Sequence, residues 1–61
     1  MTLGQKLKKA RLDRGLTQAQ VVGDRITRNM LSQIEKGTAN PSLGVLGKIT
    51  SGLRIEFQEL I

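Results

Sequence analysis

Residues 27–37 read TRNMLSQIEKG and combine apolar residues with a cluster of side chains that could bind a polar partner. Leu31 and Ile34 are three residues apart and share one face of a helix, and Ile26 can pack back against Met30 from just outside it. The opposite face carries only cationic, amide and hydroxyl side chains, namely Arg28, Asn29, Ser32, Gln33 and Lys36. Such a face can exchange hydrogen bonds with a partner, or it can be a solvated surface.

Acid–base and metal chemistry have few candidates in this sequence. The chain contains neither His nor Cys, which removes the usual general base, thiolate ligands and disulfides. Its five carboxylates stand singly, apart from Glu56 and Glu59 at ordinary helix-surface spacing. We therefore expect no enzymatic activity, no metal site and no cofactor, and no small-molecule ligand is evident.

The distribution of apolar residues argues against a membrane protein. No apolar run approaches the ~18 residues of a membrane span, and the first residues, MTLGQKLKK, lack the apolar stretch of a signal peptide. The sequence therefore predicts a cytoplasmic protein with no membrane partner.

Length and charge indicate one small basic domain, residues 1–61. A chain of this size is near the lower limit for a core without cross-links, so function should reside on its surface. Up to Lys36 there are eight Lys or Arg against three acids, and beyond it two bases balance two acids. The whole net charge of +5 thus belongs to the first 36 residues. With a pI near 10.5, this favours a polyanionic partner, although basic surfaces also serve solubility alone.

Three short helices are predicted before residue 37. Leu3, Leu7 and Ala10 recur at helical spacing, so residues 3–14 should form an amphipathic helix. A second helix should begin at Thr17, where a capping box is possible, and GDRIT must end it within a few residues. The predicted N-caps are Thr2, Thr17 and Thr27, and the predicted stops are Gly15 and Gly37. Two short helices joined by a tight turn predict a helix-turn-helix.

The segment LTQAQVV…ITRNMLSQIEKGTANPSLGVLGKI resembles the phage repressor and Cro family of helix-turn-helix domains, often described as Xre-type. In that family a segment like LTQ opens the second helix, Ile-Glu-x-Gly ends the third, here IEKG, and Pro-Ser opens the fourth, here Pro41-Ser42. The resemblance covers residues 3 to about 50 well and residues 51–61 loosely. It implies an all-α, lambda-repressor-like bundle of about five short helices.

The resemblance also implies roles for individual residues in binding double-stranded DNA. The third helix, residues 27–36, would lie in the major groove with its N-terminal residues at the base edges. Arg28 has the fork that reads guanine, Asn29 and Gln33 have amides that read adenine, and Ser32 can serve bases. The side chains expected to contact backbone phosphates are Thr17, Gln18, Thr27, Lys36, Asn40 and Ser42.

Arg11 and Glu35 match a pair that is a partly buried ion pair in related domains, where it ties the first helix to the third. Their implied role is structural, and Arg11 could also touch a phosphate. Two departures from the family concern the helix pair: GDRIT is about one residue shorter than the commoner turn, and Val22 stands where the family usually has Ala. A bulkier residue there predicts a slightly splayed pair or an adjusted turn.

Residues 43–57 allow two interpretations. Leu43, Leu46, Ile49 and Leu53 fit a helical stripe, yet this stretch contains three glycines, each costing a helix interior roughly 1 kcal/mol relative to alanine. Arg54, moreover, stands where the family places the glycine that ends the fourth helix. The alternative is a Cro-like C-terminal β-hairpin, because KIT-SG-LRIEF alternates apolar and polar residues around a Ser-Gly turn.

Helices are the favoured interpretation of this region. Asn40-Pro41-Ser42 is a good helix start, and the terminal QELI resembles the last helix of the family. Phe57, the single aromatic residue, is expected in the core under either interpretation.

The function that the resemblance implies is sequence-specific binding of double-stranded DNA by a bacterial or phage transcriptional regulator, acting as a repressor at the nucleoid. Relatives usually act as dimers on half-sites ~34 Å apart, so a homodimer on DNA through the C-terminal segment is expected. Two other classes stay open: a protein-interaction module, antitoxin-like or an adaptor, using residues 43–61, and a designed or truncated scaffold without retained function. Met1 fits an authentic start, and the chain can also be the N-terminal part of a longer regulator.

Overall fold

Four α-helices form most of the computed structural model, which describes residues 1–60. They are α1 (Leu3–Asp13), α2 (Gln18–Val22), α3 (Arg28–Lys36) and α4 (Leu43–Leu53), followed by a 3₁₀ helix over Phe57–Leu60. No β-strand occurs in residues 1–60, so the predicted all-α class is confirmed. The fifth element is a single 3₁₀ turn rather than an α-helix, and Ile61, the last residue predicted for it, lies outside the described residues.

Hydroxyl caps set the start of every α-helix. The Thr17 hydroxyl accepts a hydrogen bond from the Gln20 amide at 3.1 Å, and the Gln20 side chain accepts from the Thr17 amide at 2.8 Å. The same reciprocal box forms at Thr2, while Thr27 and Ser42 each accept from the amide three residues later. These bonds satisfy amides that have no partner within the helix, which is why the helices begin at these positions.

The α-helices enclose one core. α3 packs against α1 and α2, α4 packs against α2, and the 3₁₀ helix packs against α1. A β-carbon at Gly4 would overlap the Ile34 carbonyl oxygen, so the backbone of α1 lies directly on α3. The buried apolar side chains come from every helix and are Leu7, Val21, Val22, Leu31, Ile34, Leu46, Ile49, Leu53 and Leu60.

The helix-turn-helix consists of α2, a turn over residues 23–27, and α3. Gly23 ends α2 with a φ of 51°, and the Arg25 amide donates to the Val22 carbonyl at 2.9 Å. The Val22 side chain is 5% exposed and belongs to the core, so the larger residue is accommodated there. Whether the helix pair is splayed relative to relatives stays a prediction.

The β-hairpin alternative is wrong, because α4 runs without interruption to Leu53. Leu46, Ile49 and Leu53 line one buried face of this helix. Burying three such side chains stabilises the helix by about 1.5–3 kcal/mol each, which outweighs the roughly 3 kcal/mol that three glycines cost. One of those glycines is also needed by the packing, since a β-carbon at Gly52 would overlap the Val21 carbonyl oxygen of α2.

Two apolar residues near the C-terminus are not where the sequence placed them. Leu43, predicted on the apolar stripe of α4, is 81% exposed, because it is the first residue after the exposed α3–α4 loop. Phe57, predicted in the core, is 47% exposed, since Leu60 is buried and Ile55 packs half-buried against the same cluster. The C-terminal segment therefore contributes aliphatic side chains to the core and leaves its aromatic ring largely exposed.

Candidate nucleic-acid interface

One face of α3 is exposed and polar along its whole length. Arg28, Asn29, Gln33 and Lys36 are exposed, and Ser32 is half-buried at the edge of this face. On the other side of the helix, Leu31, Ile34 and Glu35 are buried. Four of the five residues predicted to face outward thus share a solvent-accessible surface, which we call the α3 face.

Gly37 ends α3 and begins the α3–α4 loop. Its φ of 85° is left-handed, a conformation that glycine adopts without steric cost. The Gly37 amide donates to the Ile34 carbonyl at 3.1 Å, and the Thr38 amide donates to the Gln33 carbonyl at 3.0 Å. The carbonyls of Gln33 and Ile34 in the last turn of α3 are therefore satisfied, which holds the start of the loop that carries Asn40.

Met30 departs from the predicted pattern. It was expected to pack with Ile26 in the apolar stripe, and Ile26 is indeed half-buried against the core. Met30 itself is 39% exposed. Its side chain therefore lies at the margin between the core and the α3 face.

The entrance to α2 adjoins the start of α3. Thr17, Gln18 and Arg28 line one surface groove together with the end of α1 and Leu16. Two of the predicted phosphate contacts, Thr17 and Gln18, therefore border the same groove as the first residue of α3, although they are eleven and ten residues away in sequence. An extended anionic partner could contact both segments at once.

Gln18 carries an intramolecular contact that the sequence did not reveal. Its Nε2 donates to Glu35 Oε1 at 3.1 Å. The amide has a second Nε2 hydrogen and a carbonyl oxygen, which this bond leaves available. Glu35 therefore orients the Gln18 side chain from inside the protein.

Arg11 and Glu35 form a buried, two-pronged ion pair. Arg11 Nε donates to Glu35 Oε2 at 2.8 Å, and Nη2 donates to Glu35 Oε1 at 3.0 Å. Arg11 Nη1 also donates to the Leu16 carbonyl at 2.9 Å, so the pair joins α1, the α1–α2 loop and α3. The hydrogen bond to Glu35 raises the pKa of Arg11 above its ordinary value, against the opposing effect of burial. With 9% of Arg11 exposed, little of the guanidinium can reach a phosphate.

The α3–α4 loop borders the other side of the α3 face. Asn29 and Gln33 line one wall of a groove whose opposite wall includes Asn40, Pro41 and Ser42. Asn40 and Ser42 are exposed, and the Ser42 Oγ accepts from the Val45 amide at 3.2 Å as the cap of α4. The loop therefore presents polar atoms beside the α3 face, and phosphate contact by Asn40 and Ser42 stays a prediction.

The positive charge of the α3 face is not compensated locally. Within residues 1–60 the ion pairs are Arg11 with Glu35 and Lys9 with Asp13, the latter at 2.9 Å. Arg28 and Lys36 have no carboxylate within ion-pairing distance in that part of the chain. Their charges are available to an anionic partner, whereas the Asp13 carboxylate offsets the charge of Lys9.

Residues 1–60 contain neither a group of metal ligands nor a membrane-spanning helix. Among residues 1–60 no three acidic side chains come together as metal ligands would. None of the helices in that range has the length and apolar character required to cross a bilayer.

Comparison with known proteins agrees with this geometry. A family profile described as helix-turn-helix matches residues 7–60. The chain is also 36% identical over 62 residues to a protein of Bacillus phage phi105 named immunity repressor protein. That alignment covers the whole chain but 43% of the phage protein, so the chain spans less than half the length of this relative. No solved structure matches the chain. With its profile match, its full-length similarity and the α2–turn–α3 geometry, the chain belongs to the Xre-type helix-turn-helix family.

Proposed function

We propose that this chain binds double-stranded DNA in a sequence-specific manner as the DNA-binding domain of a transcriptional regulator, with α3 in the major groove. The observation that carries the proposal is the α3 face, which joins two unpaired cations to exposed amides beside the entrance of α2. In a helix-turn-helix the second helix of the pair enters the major groove with its N-terminal residues at the base edges. Arg28 and Asn29 are the first two residues of that helix.

The base readers are Arg28, Asn29 and Gln33. A guanidinium can donate two hydrogen bonds to guanine, and a side-chain amide can both donate to and accept from adenine. Asn29 and Gln33 are four residues apart on a helix, so their amides can address neighbouring base pairs. Ser32, which is half-buried between them and the core, adds a shorter contact to a base.

The phosphate contacts come from three helix starts, the last residue of α3 and the α3–α4 loop. The hydroxyls of Thr17, Thr27 and Ser42 accept from helix amides, which leaves each hydroxyl proton free to donate to a phosphate oxygen. Gln18 keeps one Nε2 hydrogen for the same purpose. Lys36 and Asn40 extend the contact along the strand, and together these groups fix the register of α3 on the duplex.

The regulatory mechanism we propose is repression by occupancy, in keeping with the name of the phage relative. One module of this size makes few contacts with DNA. Two copies on half-sites ~34 Å apart would bind more tightly and would recognise a longer sequence. We place the pairing surface at the C-terminal segment, where Phe57 is 47% exposed. The protein would act on DNA in a bacterial cytoplasm.

The proposed function is tested by selecting duplexes from a random pool and then titrating ¹⁵N-labelled protein with the selected duplex. Amide shifts concentrated at residues 17–18, 27–36 and 40–42, with weaker shifts on a scrambled duplex, would support the proposal. Failure to enrich any sequence, or shifts confined to residues 43–60, would contradict it and favour a protein-binding role. Lys48→Ala, on the exposed side of α4, is a matched control for a lost positive charge and should enrich the same sequences.

A further inference from the structure

The groove between α3 and the α3–α4 loop contains a feature that hydrogen bonding to bases does not use. Its rims are polar, with Asn29 and Gln33 on one side and Asn40 on the other. Met30 also lines this groove and is 39% exposed, although it lies in the first turn of a helix that buries its other apolar residues. Exposure of a flexible, polarisable side chain beside two amides suggests a contact with a partner.

The apolar part of the groove extends beyond Met30. Ala39 and Pro41 of the loop line it with Val45 of α4, and all three are half-buried rather than covered. Buried Ile34 forms the inner side. A small apolar group that entered from the α3 face would therefore lose water on several sides.

We propose that this groove receives the 5-methyl group of a thymine, with Met30 as a specificity-determining residue. The proposal rests on the proposed function, since it requires α3 in the major groove. An A·T pair presents an adenine edge that an amide can read and, in the same groove, a thymine methyl that favours apolar contact. Asn29 or Gln33 beside Met30 offers both kinds of contact, so the combination favours A·T pairs over G·C pairs at this position.

Deoxyuracil separates this contact from all hydrogen bonding, because it differs from thymine only by the missing methyl group. Each thymine of the selected duplex is replaced in turn, and the Kd is measured by fluorescence anisotropy at one salt concentration. We expect one position at which the replacement weakens binding about threefold to fivefold, the effect of burying roughly one methyl group. In Met30→Ala the same replacement should have almost no effect.

Leu43→Ala is the matched control, since Leu43 is 81% exposed and does not line the groove. This variant should keep the full deoxyuracil penalty. Circular dichroism and thermal melting establish that both variants are folded. Equal penalties in wild type and Met30→Ala, or no penalty at any thymine while the duplex is still bound specifically, would overturn the inference and leave the proposed function standing. If no duplex is bound specifically, the proposed function fails as well.

Discussion

Arg11 of α1 and Glu35 of α3 are 24 residues apart in sequence and meet through two hydrogen bonds of 2.8 and 3.0 Å in the interior. Glu35 also accepts from Gln18, so one carboxylate holds α1, the start of α2 and α3 together. This arrangement fixes the orientation of the α3 face relative to the α2 entrance. It also makes stability depend on keeping both charges paired.

Removing either Arg11 or Glu35 alone should lower the free energy of unfolding substantially. Arg11→Ala leaves the Glu35 carboxylate buried and uncompensated, and we expect the free energy of unfolding to fall by about 3–5 kcal/mol. Replacement of both residues, as Arg11→Met with Glu35→Met, should cost much less or stabilise the fold, because neither charge then has to be desolvated. Urea denaturation measures the free energy of unfolding of the single and the double variant. A double variant no more stable than the single one would mean that the pair itself stabilises the domain strongly.

The four helical glycines of interest should divide into two classes. Gly4→Ala and Gly52→Ala place a β-carbon on a backbone carbonyl of another helix, so we expect losses of about 1–3 kcal/mol in the free energy of unfolding. Gly44→Ala and Gly47→Ala meet open space and should raise it by about 0.5–1 kcal/mol. Thermal melting of the four variants provides the comparison, and equal effects in both classes would contradict the packing described for α1 and α4.

Arg54 ends α4 in a left-handed conformation, with φ of 59° and ψ of 41°, and is the one non-glycine residue of the described chain with positive φ. A β-carbon in this conformation costs roughly 1–2 kcal/mol. Arg54→Gly should therefore stabilise the domain by about 0.5–1 kcal/mol after the greater freedom of glycine in the unfolded chain is included. Arg54→Ala retains the β-carbon, so any stabilisation by this control would assign the effect to the lost guanidinium instead.

Base readers and phosphate contacts should respond differently to substitution. Arg28→Ala should lose about 1–3 kcal/mol of binding free energy on the preferred duplex and relax preference at one base pair. Lys36→Ala should weaken binding to all duplexes alike and lower the salt slope by about one, because one counterion fewer is released. Measuring affinity on preferred and scrambled duplexes over a salt series distinguishes a loss of sequence preference from a uniform loss of affinity.

Lys48→Ala removes the same charge as Lys36→Ala but from the exposed side of α4. It should leave the salt slope almost unchanged. A slope lowered equally by both variants would show that α3 contributes only a general electrostatic field.

Paired binding should depend on the spacing of the half-sites. Two half-sites whose centres are ~34 Å apart lie on the same side of the duplex, whereas insertion of about half a helical turn places them on opposite sides. We therefore expect cooperative binding on the first duplex and its loss on the second, as measured by electrophoretic mobility shift. Identical binding to both would mean that copies bind independently.

The helix starts, the end of α3 at Gly37 and most of the core follow from local sequence. Thr2, Thr17, Thr27 and Ser42 can each satisfy a free amide by themselves, and Gly37 adopts a left-handed φ without help from the rest of the fold. The polar face of α3 could be predicted for the same reason, because helical spacing alone separates it from Leu31 and Ile34.

Tertiary packing decided what local sequence left open. The glycines and the alternation of apolar and polar residues left residues 43–57 compatible with either a helix or a β-hairpin. Burial of Leu46, Ile49 and Leu53 in the core selected the helix. The same packing exposed Phe57 in favour of Leu60, left Met30 at the edge of the α3 face, and brought Gln18 to Glu35. Each of these outcomes depends on which surfaces meet across the fold, and a pattern of neighbouring residues contains no information about partners that are distant in sequence.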